Sequence, residues 1–288
     1  MAQILDGKLV SQKMRERLRR EVEELAVEGI VPGLAVVLVG NDVGSQVYVR
    51  NKTQACEELG IRSWQYNLPA DAAQDTLLEL IETLNADPEG HGILVQSPLP
   101  EQIDEALVTN YIRPEKDVDA FHPFNVGRIM LGDYTYLPCT PAGIMEILRE
   151  YGIDPAGKHC VVVGRSHIVG RPMSMLMLHA NATVTICHSH TRDLASHTRQ
   201  ADILVAAVGR ERFITADMVK EGAVVIDVGM NRDSEGKLCG DVDFAGVEPR
   251  VSAITPVPGG VGPMTITELL QNTVTAAKIL SKKAGKPS

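Results

Sequence analysis

The chain has 288 residues, of which 44% are hydrophobic, and a formal net charge of −9 at pH 7. This length indicates one large domain or two of ordinary size, and the negative charge argues against duplex DNA or an anionic membrane as a partner. No apolar run approaches the roughly 20 residues of a membrane-spanning helix, and the N-terminus lacks a signal-peptide pattern. The five cysteines are scattered without a C-x-x-C pair, which disfavours zinc sites and disulfides. Together these features predict an enzyme of the reducing cytoplasm.

Helical and strand-like segments alternate in the first third of the chain, in an order typical of a parallel sheet covered by helices. The predicted helices are Lys8–Glu28, Ser45–Leu59 and Ala73–Asn85, and the predicted strands are Leu34–Val39, Ile61–Asn67 and Gly92–Gln96. The following segment, Arg113–Pro141, is rich in turn residues and interrupts the alternation. At its end, Thr140 and Pro141 have the residue types of a helix N-cap and first helical residue, which predicts a helix to about Tyr151.

A second alternating series begins near Lys158 and predicts a three-layer α/β unit with Rossmann-like order. Its predicted strands are Cys160–Val163, Thr183–Cys187, Ile203–Ala207 and Ala223–Val228, and its predicted helices are Ile168–Ala180 and Asp193–Gln200. The chain then passes through a loop rich in glycine and proline, Thr255–Thr265, and ends in a long amphipathic helix, Thr265–Leu280. Long irregular loops beside sheets often carry function.

The strand ending at Gly164 leads into a glycine-containing turn and a helix, which is the order of a dinucleotide-binding motif. Gly164 permits a tight turn, Gly170 lets the helix approach the sheet, and free N–H groups at the helix start can hold a pyrophosphate. Ser166 stands where the fingerprint has its second glycine. An ordinary strand–helix connection is the alternative for this segment.

The second strand of this unit ends without the carboxylate that usually binds the ribose 2′-hydroxyl of NAD. Arg165, Ser189 and His190 are instead available to hold a 2′-phosphate, which favours NADP as the cofactor. Alternatively, Arg165 is a surface charge and Ser189 a turn residue. His188 and His190 alternate along the chain but form no metal motif, so we predict no metal site.

Three short segments carry candidate catalytic groups. Tyr48 and Lys52 are spaced i, i+4 on a predicted helix, where the lysine could stabilise a cation or exchange a proton. Gln96 follows a strand at the edge where ligands bind in open α/β sheets. Asp117 and Asp119 point the same way if their segment is extended. The alternatives are a solvated lysine and a pair of surface turn residues.

Taken together, five motifs resemble the bacterial type of bifunctional methylenetetrahydrofolate dehydrogenase/methenyltetrahydrofolate cyclohydrolase. They are Tyr48–Lys52, Gly92–Pro100, Pro114–Asp119, Gly164–Pro172 and Thr255–Thr265, and the resemblance extends from Asp6 to the final helix. It implies two three-layer α/β domains, the second Rossmann-like and NADP-binding, with the C-terminal helix returning to the first. The implied boundaries are 1–139 with 264–288 for the catalytic domain and 140–263 for the NADP domain. The resemblance also implies folate binding in the cleft and a homodimer paired through the nucleotide domains.

The resemblance implies oxidation of 5,10-methylenetetrahydrofolate by NADP to the methenyl cation, followed by hydrolysis to 10-formyltetrahydrofolate. Lys52 would be the key catalytic residue, tuned by Gln96, with Tyr48 positioning the folate and Asp119 binding the pterin ring. The remaining implied substrate-binding residues are Val95, Ser97, Pro258, Gly259, Gly260, Val261 and Gly262. The implied cofactor-binding residues are Gly164, Arg165, Ser166, Ile168, Ser189 and Met230.

Two positions depart from the family pattern, which commonly has leucine at Ser97 and glycine at Ala120. We expect Ser97 to add a polar group at the pocket edge. We expect Ala120 to avoid a positive φ, so that Asp119 is held differently. Two other functions remain open: an NADP-dependent dehydrogenase of a small hydroxy or amino acid, and a catalytically silent NADP sensor or scaffold. Intact Lys52, Gln96 and Asp119 argue against the second.

Overall fold

The computed structural model describes residues 1–284. The strands are β1 Gln3–Ile4, β2 Gly33–Val39, β3 Arg62–Leu68, β4 Gly92–Val95, β5 His159–Val163, β6 Thr183–Cys187, β7 Ile203–Ala206, β8 Val224–Asp227, β9 Asn231–Arg232, β10 Leu238–Cys239 and β11 Ala253–Ile254. The α-helices are α1 Gly7–Val27, α2 Val43–Leu59, α3 Gln74–Ala86, α4 Glu105–Tyr111, α5 Pro123–Leu131, α6 Cys139–Glu150, α7 Gly170–His179, α8 Leu194–Thr198, α9 Phe244–Val247 and α10 Gly262–Ala284. Short 3-10 turns form at Ala216–Met218 and Glu248–Arg250.

The chain divides into two compact units, which we name by their sheets. The six-stranded unit comprises Met1–Lys13 and Pro138–Thr265. The three-stranded unit comprises Met14–Leu137 and the chain from Ile266 onward. The predicted α/β architecture with parallel sheets is confirmed, and most of the C-terminal helix α10 belongs to the three-stranded unit, as expected.

The three-stranded unit has the parallel strand order β3-β2-β4. All seven residues of the central strand β2 are buried, which requires cover on both faces of the sheet and explains its continuous apolar sequence. Val37 and Ile93 of the sheet share a core with Leu77 and Ile81 of α3. The carboxyl ends of β2 and β4 therefore lie side by side on a rigid support.

The six-stranded unit has the strand order β1-β11-β8-β7-β5-β6, with every paired neighbour parallel. After β5 the chain adds β6 on one side and then crosses to place β7 on the other. This reversal beside β5 is the topological switch point, where ligands of doubly wound sheets bind at the carboxyl ends of the strands. The predicted Rossmann-like order is thus confirmed.

The turn-rich segment from Arg113 to Pro141 contains helix α5, which the sequence did not predict. The predicted start of the next helix was also wrong: α6 begins at Cys139 with Pro138 as its N-cap, so Thr140 is not the cap. Pro141 is the third residue of α6, where its missing N–H removes no helical hydrogen bond.

Ala120 has φ 60°, so the expectation that alanine would avoid the left-handed region was wrong. Neighbouring contacts hold the backbone there. The Ala120 N–H donates to the Asp117 carbonyl at 3.2 Å, and the Asn272 amide of α10 donates to the preceding Val118 carbonyl at 2.8 Å. A non-glycine residue in this conformation costs about 1–2 kcal/mol, so Ala120 is held there under strain.

All five cysteines are free and buried. Within the described residues, no helix combines the length and the apolar character needed to span a lipid bilayer.

Candidate active site

Helix α2 presents Lys52 to the carboxyl end of β4. Asp42 caps the helix by accepting from the Ser45 N–H at 2.7 Å, and Gly60 ends it at φ 74°. The Nζ atom of the half-buried Lys52 donates to Oε1 of Gln96 at 2.9 Å. Tyr48, one turn earlier on the helix, is 39% exposed. The candidate site thus consists of an amine and a phenol one turn apart on a helix and an amide at a strand end.

Backbone contacts fix the orientation of Gln96. Its N–H donates to the Val37 carbonyl at 2.9 Å, which continues the pairing of β4 with β2. Its side-chain Nε2 donates to the Ser97 carbonyl at 2.6 Å, so Oε1 is left to face Lys52. The Ser97 hydroxyl donates to the carboxylate of Glu105 at the start of α4. The hydroxyl that Ser97 adds is therefore bonded to α4.

The two aspartates before Ala120 have different environments. Asp117 is buried and accepts from the His122 N–H and the Asn125 amide, each at 2.8 Å. Burial raises the pKa of Asp117, against the lowering effect of these hydrogen bonds. A turn follows directly, so the segment is not extended and the expected side-by-side pair does not form. Asp119, two residues further along the chain, is half-buried and is therefore more accessible to solvent than Asp117.

Within the six-stranded unit, the Pro258–Gly262 loop lies against the start of α1. The Gly259 carbonyl accepts from the N–H groups of Gly7 and Lys8 at 3.0 and 3.2 Å. A Cβ at Gly7 would lie 1.8 Å from the Gly260 carbonyl oxygen, so only glycine fits there. The sequence motif Asp6-Gly7-Lys8 therefore has a structural reason: it supports the loop implied to bind folate.

The glycine turn after β5 has the close backbone approach of a dinucleotide site. Gly164 has φ 135°, and a Cβ there would lie 2.2 Å from the Ala207 carbonyl oxygen. A Cβ at Gly170 would lie 2.2 Å from the Gly164 carbonyl oxygen. Both glycines are therefore required for the turn to pack against the sheet.

Helix α7 begins at Gly170, two residues later than predicted, because Ser166 occupies the turn before it. The Ser166 hydroxyl accepts from the N–H groups of Val169 and Gly170 at 3.2 and 3.4 Å, and its carbonyl accepts from the Arg171 N–H at 3.1 Å. The expectation of free N–H groups at the helix start was therefore wrong for these three amides. A bound phosphate would have to share or replace the Ser166 contacts.

Arg165 and the imidazoles of His188 and His190 lie where β5 and β6 end. The Gly164 N–H donates to the Cys187 carbonyl at 2.9 Å, which joins the two strand ends. The pKa of His188 is lowered, first by desolvation and then by the charges of Arg165 and His190. No carboxylate follows β6 before Asp193, and Ser189 is exposed at the tip of the turn. This donor set suits a phosphate, which supports NADP.

The remaining predicted cofactor residues, Ile168 and Met230, are 52% and 54% exposed in the same unit. The predicted residues thus form two groups. Tyr48, Lys52, Val95, Gln96, Ser97 and Asp119 belong to the three-stranded unit, and the cofactor residues and the Pro258–Gly262 loop belong to the six-stranded unit. Among the described residues, no group of three His, Cys, Asp or Glu side chains could hold a metal ion.

Sequence reasoning missed the residues that hold the site in place. Asn272 of α10 donates to the carbonyls of Val118 and Leu137, each at 2.8 Å, and Asn125 donates to Asp117. An asparagine inside an amphipathic helix gives no signal of its distant partner. These roles become visible only in the folded chain.

Two family models match this chain. The catalytic domain of tetrahydrofolate dehydrogenase/cyclohydrolase matches residues 5–119, and its NAD(P)-binding domain matches residues 138–281. A relative from Moorella thermoacetica, the bifunctional protein FolD, is 61% identical over 96% of this chain and 99% of its own length.

Solved structures agree with this match. The bifunctional FolD enzyme of Campylobacter jejuni, a methylenetetrahydrofolate dehydrogenase/cyclohydrolase, has a TM-score of 0.95 and 51% identity, covering 97% of this chain and 99% of its own. The Trypanosoma brucei enzyme, solved with NADP cofactor and an inhibitor, has a TM-score of 0.93 and 38% identity, covering 99% of each chain.

Proposed function

This chain belongs to the tetrahydrofolate dehydrogenase/cyclohydrolase family, and we propose that it catalyses both reactions of that family. It oxidises 5,10-methylenetetrahydrofolate to the 5,10-methenyl cation with NADP, and then hydrolyses the cation to 10-formyltetrahydrofolate. The observation that carries this proposal is the hydrogen bond between Lys52 and the neutral amide of Gln96, 2.9 Å long, in a chain with a glycine turn after β5.

The oxidation step mainly requires that the methylene carbon of the folate be aligned with the hydride acceptor. The methylene carbon lies between two nitrogens and gives up a hydride readily, because the resulting cation is stabilised by both. NADP supplies the hydride acceptor, and the protein's contribution is to bind and orient the reactants. Gly164, Ser166 and Ile168 line the turn that would receive the cofactor, with the backbone at Met230 as a further contact. Arg165 and Ser189 provide the charge and hydroxyl that suit its 2′-phosphate.

The hydrolysis step needs a group that moves protons after water attacks the cation. Lys52 is the titratable group in position on α2, and a general acid or base of this kind contributes typically 10²–10⁴-fold to rate. Gln96 orients the amine through a neutral oxygen. A carboxylate in that place would hold the amine in its charged form.

The remaining site residues orient the folate. Asp119 accepts hydrogen bonds from the donor edge of the pterin ring, and Tyr48 contacts its aromatic system. Val95 and Ser97, beside Gln96, form the edge of the pocket. In the six-stranded unit, the loop implied to bind folate is Pro258, Gly259, Gly260, Val261 and Gly262, and the start of α1 holds it in place.

We assign residues 1–139 with 264–288 to folate chemistry and 140–263 to NADP binding. The boundary near residue 139 is supported by the family models, since one ends at residue 119 and the other begins at 138. In the structure, residues 1–13 belong to the six-stranded unit, to which they add strand β1.

The protein works as a homodimer paired through its nucleotide domains. Strand β6 is an edge strand of the six-stranded sheet, and its Ile186 is 41% exposed, close in sequence to Leu178 of α7, which is 51% exposed. An apolar edge of this kind is a liability unless another chain covers it. An Ile186→Lys variant should run as a monomer in light scattering, whereas a persistent dimer would place the interface elsewhere.

We place the protein in the cytoplasm. Its five free, buried cysteines are typical of a reducing compartment. Fractionation of the source cells tests this.

Two assays on the purified chain test the function. With NADP and methylenetetrahydrofolate, NADPH should accumulate, and methenyltetrahydrofolate should be consumed without any nucleotide faster than in buffer. NADP binding without either turnover would establish a silent NADP sensor. Turnover of a small hydroxy or amino acid with no folate activity would establish a different dehydrogenase.

A further inference from the structure

Two loops leave the carboxyl edge of the six-stranded sheet and converge on one buried carboxylate. The side chain of Asp241, fully buried, accepts from three successive backbone N–H groups of the loop after β7: Val208 at 2.6 Å, Gly209 at 3.0 Å and Arg210 at 2.9 Å. It also accepts from the side-chain amide of Asn231 at 2.9 Å, which stands at the end of the loop after β8. One carboxylate therefore joins two loops of the same edge.

A second buried carboxylate fixes Asp241 itself. Asp227, the last residue of β8, accepts from the backbone N–H groups of Asp241 and Val242 at 2.8 and 3.0 Å. A Cβ at Gly240 would lie 1.8 Å from Oδ2 of Asp227, and a Cβ at Gly229 would lie 2.3 Å from the Asp241 N. Glycine at both positions lets the two carboxylates reach backbone groups directly. The loop positions are therefore set by a tightly packed polar cluster.

These loops stand beside the cofactor turn. Ala207, directly before the loop after β7, donates to the Val163 carbonyl at 2.8 Å, and its own carbonyl lies where a Cβ of Gly164 would clash. Strand β7 is the neighbour of β5 across the switch point, where a dinucleotide binds in this type of sheet. The loop after β8 carries Met230, which we propose as a cofactor contact.

We infer that Asp241 is a positioning residue for NADP: its carboxylate holds the Val208–Arg210 and Gly229–Asn231 loops in the arrangement that the bound cofactor requires. This inference rests on the proposed NADP-dependent function. A carboxylate is needed because its two oxygens together accept from four N–H groups. An asparagine offers one oxygen, and its NH₂ group would face N–H donors, so two of the four would lose their acceptor.

The test compares Asp241→Asn with Asp243→Asn, two residues along the same segment, whose side chain makes no capping hydrogen bond to α9. For each variant we would measure the Kd of NADP by equilibrium binding, the KM for NADP and kcat of the dehydrogenase, and the nucleotide-free cyclohydrolase rate. Asp241→Asn should raise Kd and KM about tenfold or more, as expected for the loss of two hydrogen bonds. Its kcat at saturating NADP and its cyclohydrolase rate should stay within about threefold, and Asp243→Asn should match the wild type.

An Asp241→Asn protein that binds NADP with wild-type affinity would overturn the inference. If that variant loses its fold, the milder Asn231→Ala, which removes one of the four donors, decides instead. It should raise the Kd about threefold, and an unchanged Kd would overturn the inference. A wild-type protein that binds NADP but oxidises no folate would refute the proposed function. The comparison of Kd values for NADP would still test the role of Asp241.

Discussion

The Nζ atom of Lys52 and the Gln96 side chain form a hydrogen bond of 2.9 Å, in which a neutral amide oxygen is the acceptor. Gln96 is itself tied to the backbone at Val37 and Ser97, so it orients the amine without fixing its charge. A lysine that must exchange protons at neutral pH benefits from such a partner.

Replacing Gln96 by glutamate keeps the shape but adds a charge. The Gln96→Glu variant should hold Lys52 as an ammonium, so its cyclohydrolase rate at pH 7 should fall by about 10²-fold and its pH–rate profile should move to higher pH. Gln12→Glu, at an exposed position of α1, adds the same charge and should leave both unchanged. An unshifted profile in Gln96→Glu would show that the charge state of Lys52 is not limiting.

The 2′-phosphate proposal makes Arg165 the main discriminator between the two nicotinamide cofactors. Arg165→Ala should raise the KM for NADP by about 10–100-fold, since a charge-assisted hydrogen bond contributes about 1.5–3 kcal/mol. The KM for NAD should change little. Arg250→Ala, an exposed arginine of the same unit, serves as the control. Equal effects on NADP and NAD would place Arg165 away from the 2′-phosphate.

The left-handed backbone of Ala120 predicts a stabilising glycine substitution. Ala120→Gly relieves a strain of about 1–2 kcal/mol but gives the unfolded chain more freedom. The net gain in the free energy of unfolding should be about 0.5–1 kcal/mol, measured by urea denaturation. Ala106→Gly, on the exposed helix α4, should instead lose about 0.5–1 kcal/mol. Loss of stability in both variants would contradict the strain at Ala120.

Asp227 should give the protein an unusual pH dependence. Burial, with a smaller contribution from the charge of Asp241, raises the pKa of Asp227 from 3.8 to about 6. Between those values the folded protein keeps a proton that the unfolded chain has released, so this group's contribution to stability falls as the pH rises. It is present in full at pH values below the unfolded pKa.

The Asp227→Asn variant cannot titrate at this position and isolates the effect. The stability difference between the wild type and this variant should shrink by up to roughly 3 kcal/mol as the pH rises from about 4 to about 6. Asp243→Asn is the matched control and should follow the wild type. Parallel unfolding profiles for the wild type and Asp227→Asn would show that folding does not raise the pKa of Asp227.

The sequence was sufficient to predict secondary structure wherever that structure depends on neighbouring residues alone. The apolar run of β2, the glycine turn at Gly164 and the i, i+4 spacing of Tyr48 and Lys52 each depend on neighbouring residues, and each prediction of their secondary structure held. Helix α5 was missed because its nine residues lie within a segment rich in turn residues and leave Phe124, Met130 and Leu131 exposed. Only Asn125 and Ile129 of this helix are buried, and so short a segment between turn residues is difficult to recognise as a helix.

Other features depend on partners far along the chain. Strand β1 exists because two residues at the N-terminus pair with β11. Neither segment is long enough to be recognised as a strand from the sequence. Asp241 contacts a loop more than thirty residues earlier, at Val208 and Gly209. The extended geometry assumed for Asp117 and Asp119 failed because Asn125 and His122 draw Asp117 inward.

The most direct test of the central claim is the cyclohydrolase rate of Lys52→Met, measured with methenyltetrahydrofolate alone. Methionine keeps the length of the side chain but cannot carry a proton. We predict a loss of at least about 10²-fold, with the Kd for NADP unchanged as proof that the nucleotide site is intact. Wild-type hydrolysis by this variant would contradict the assignment of Lys52 as the proton-transferring group.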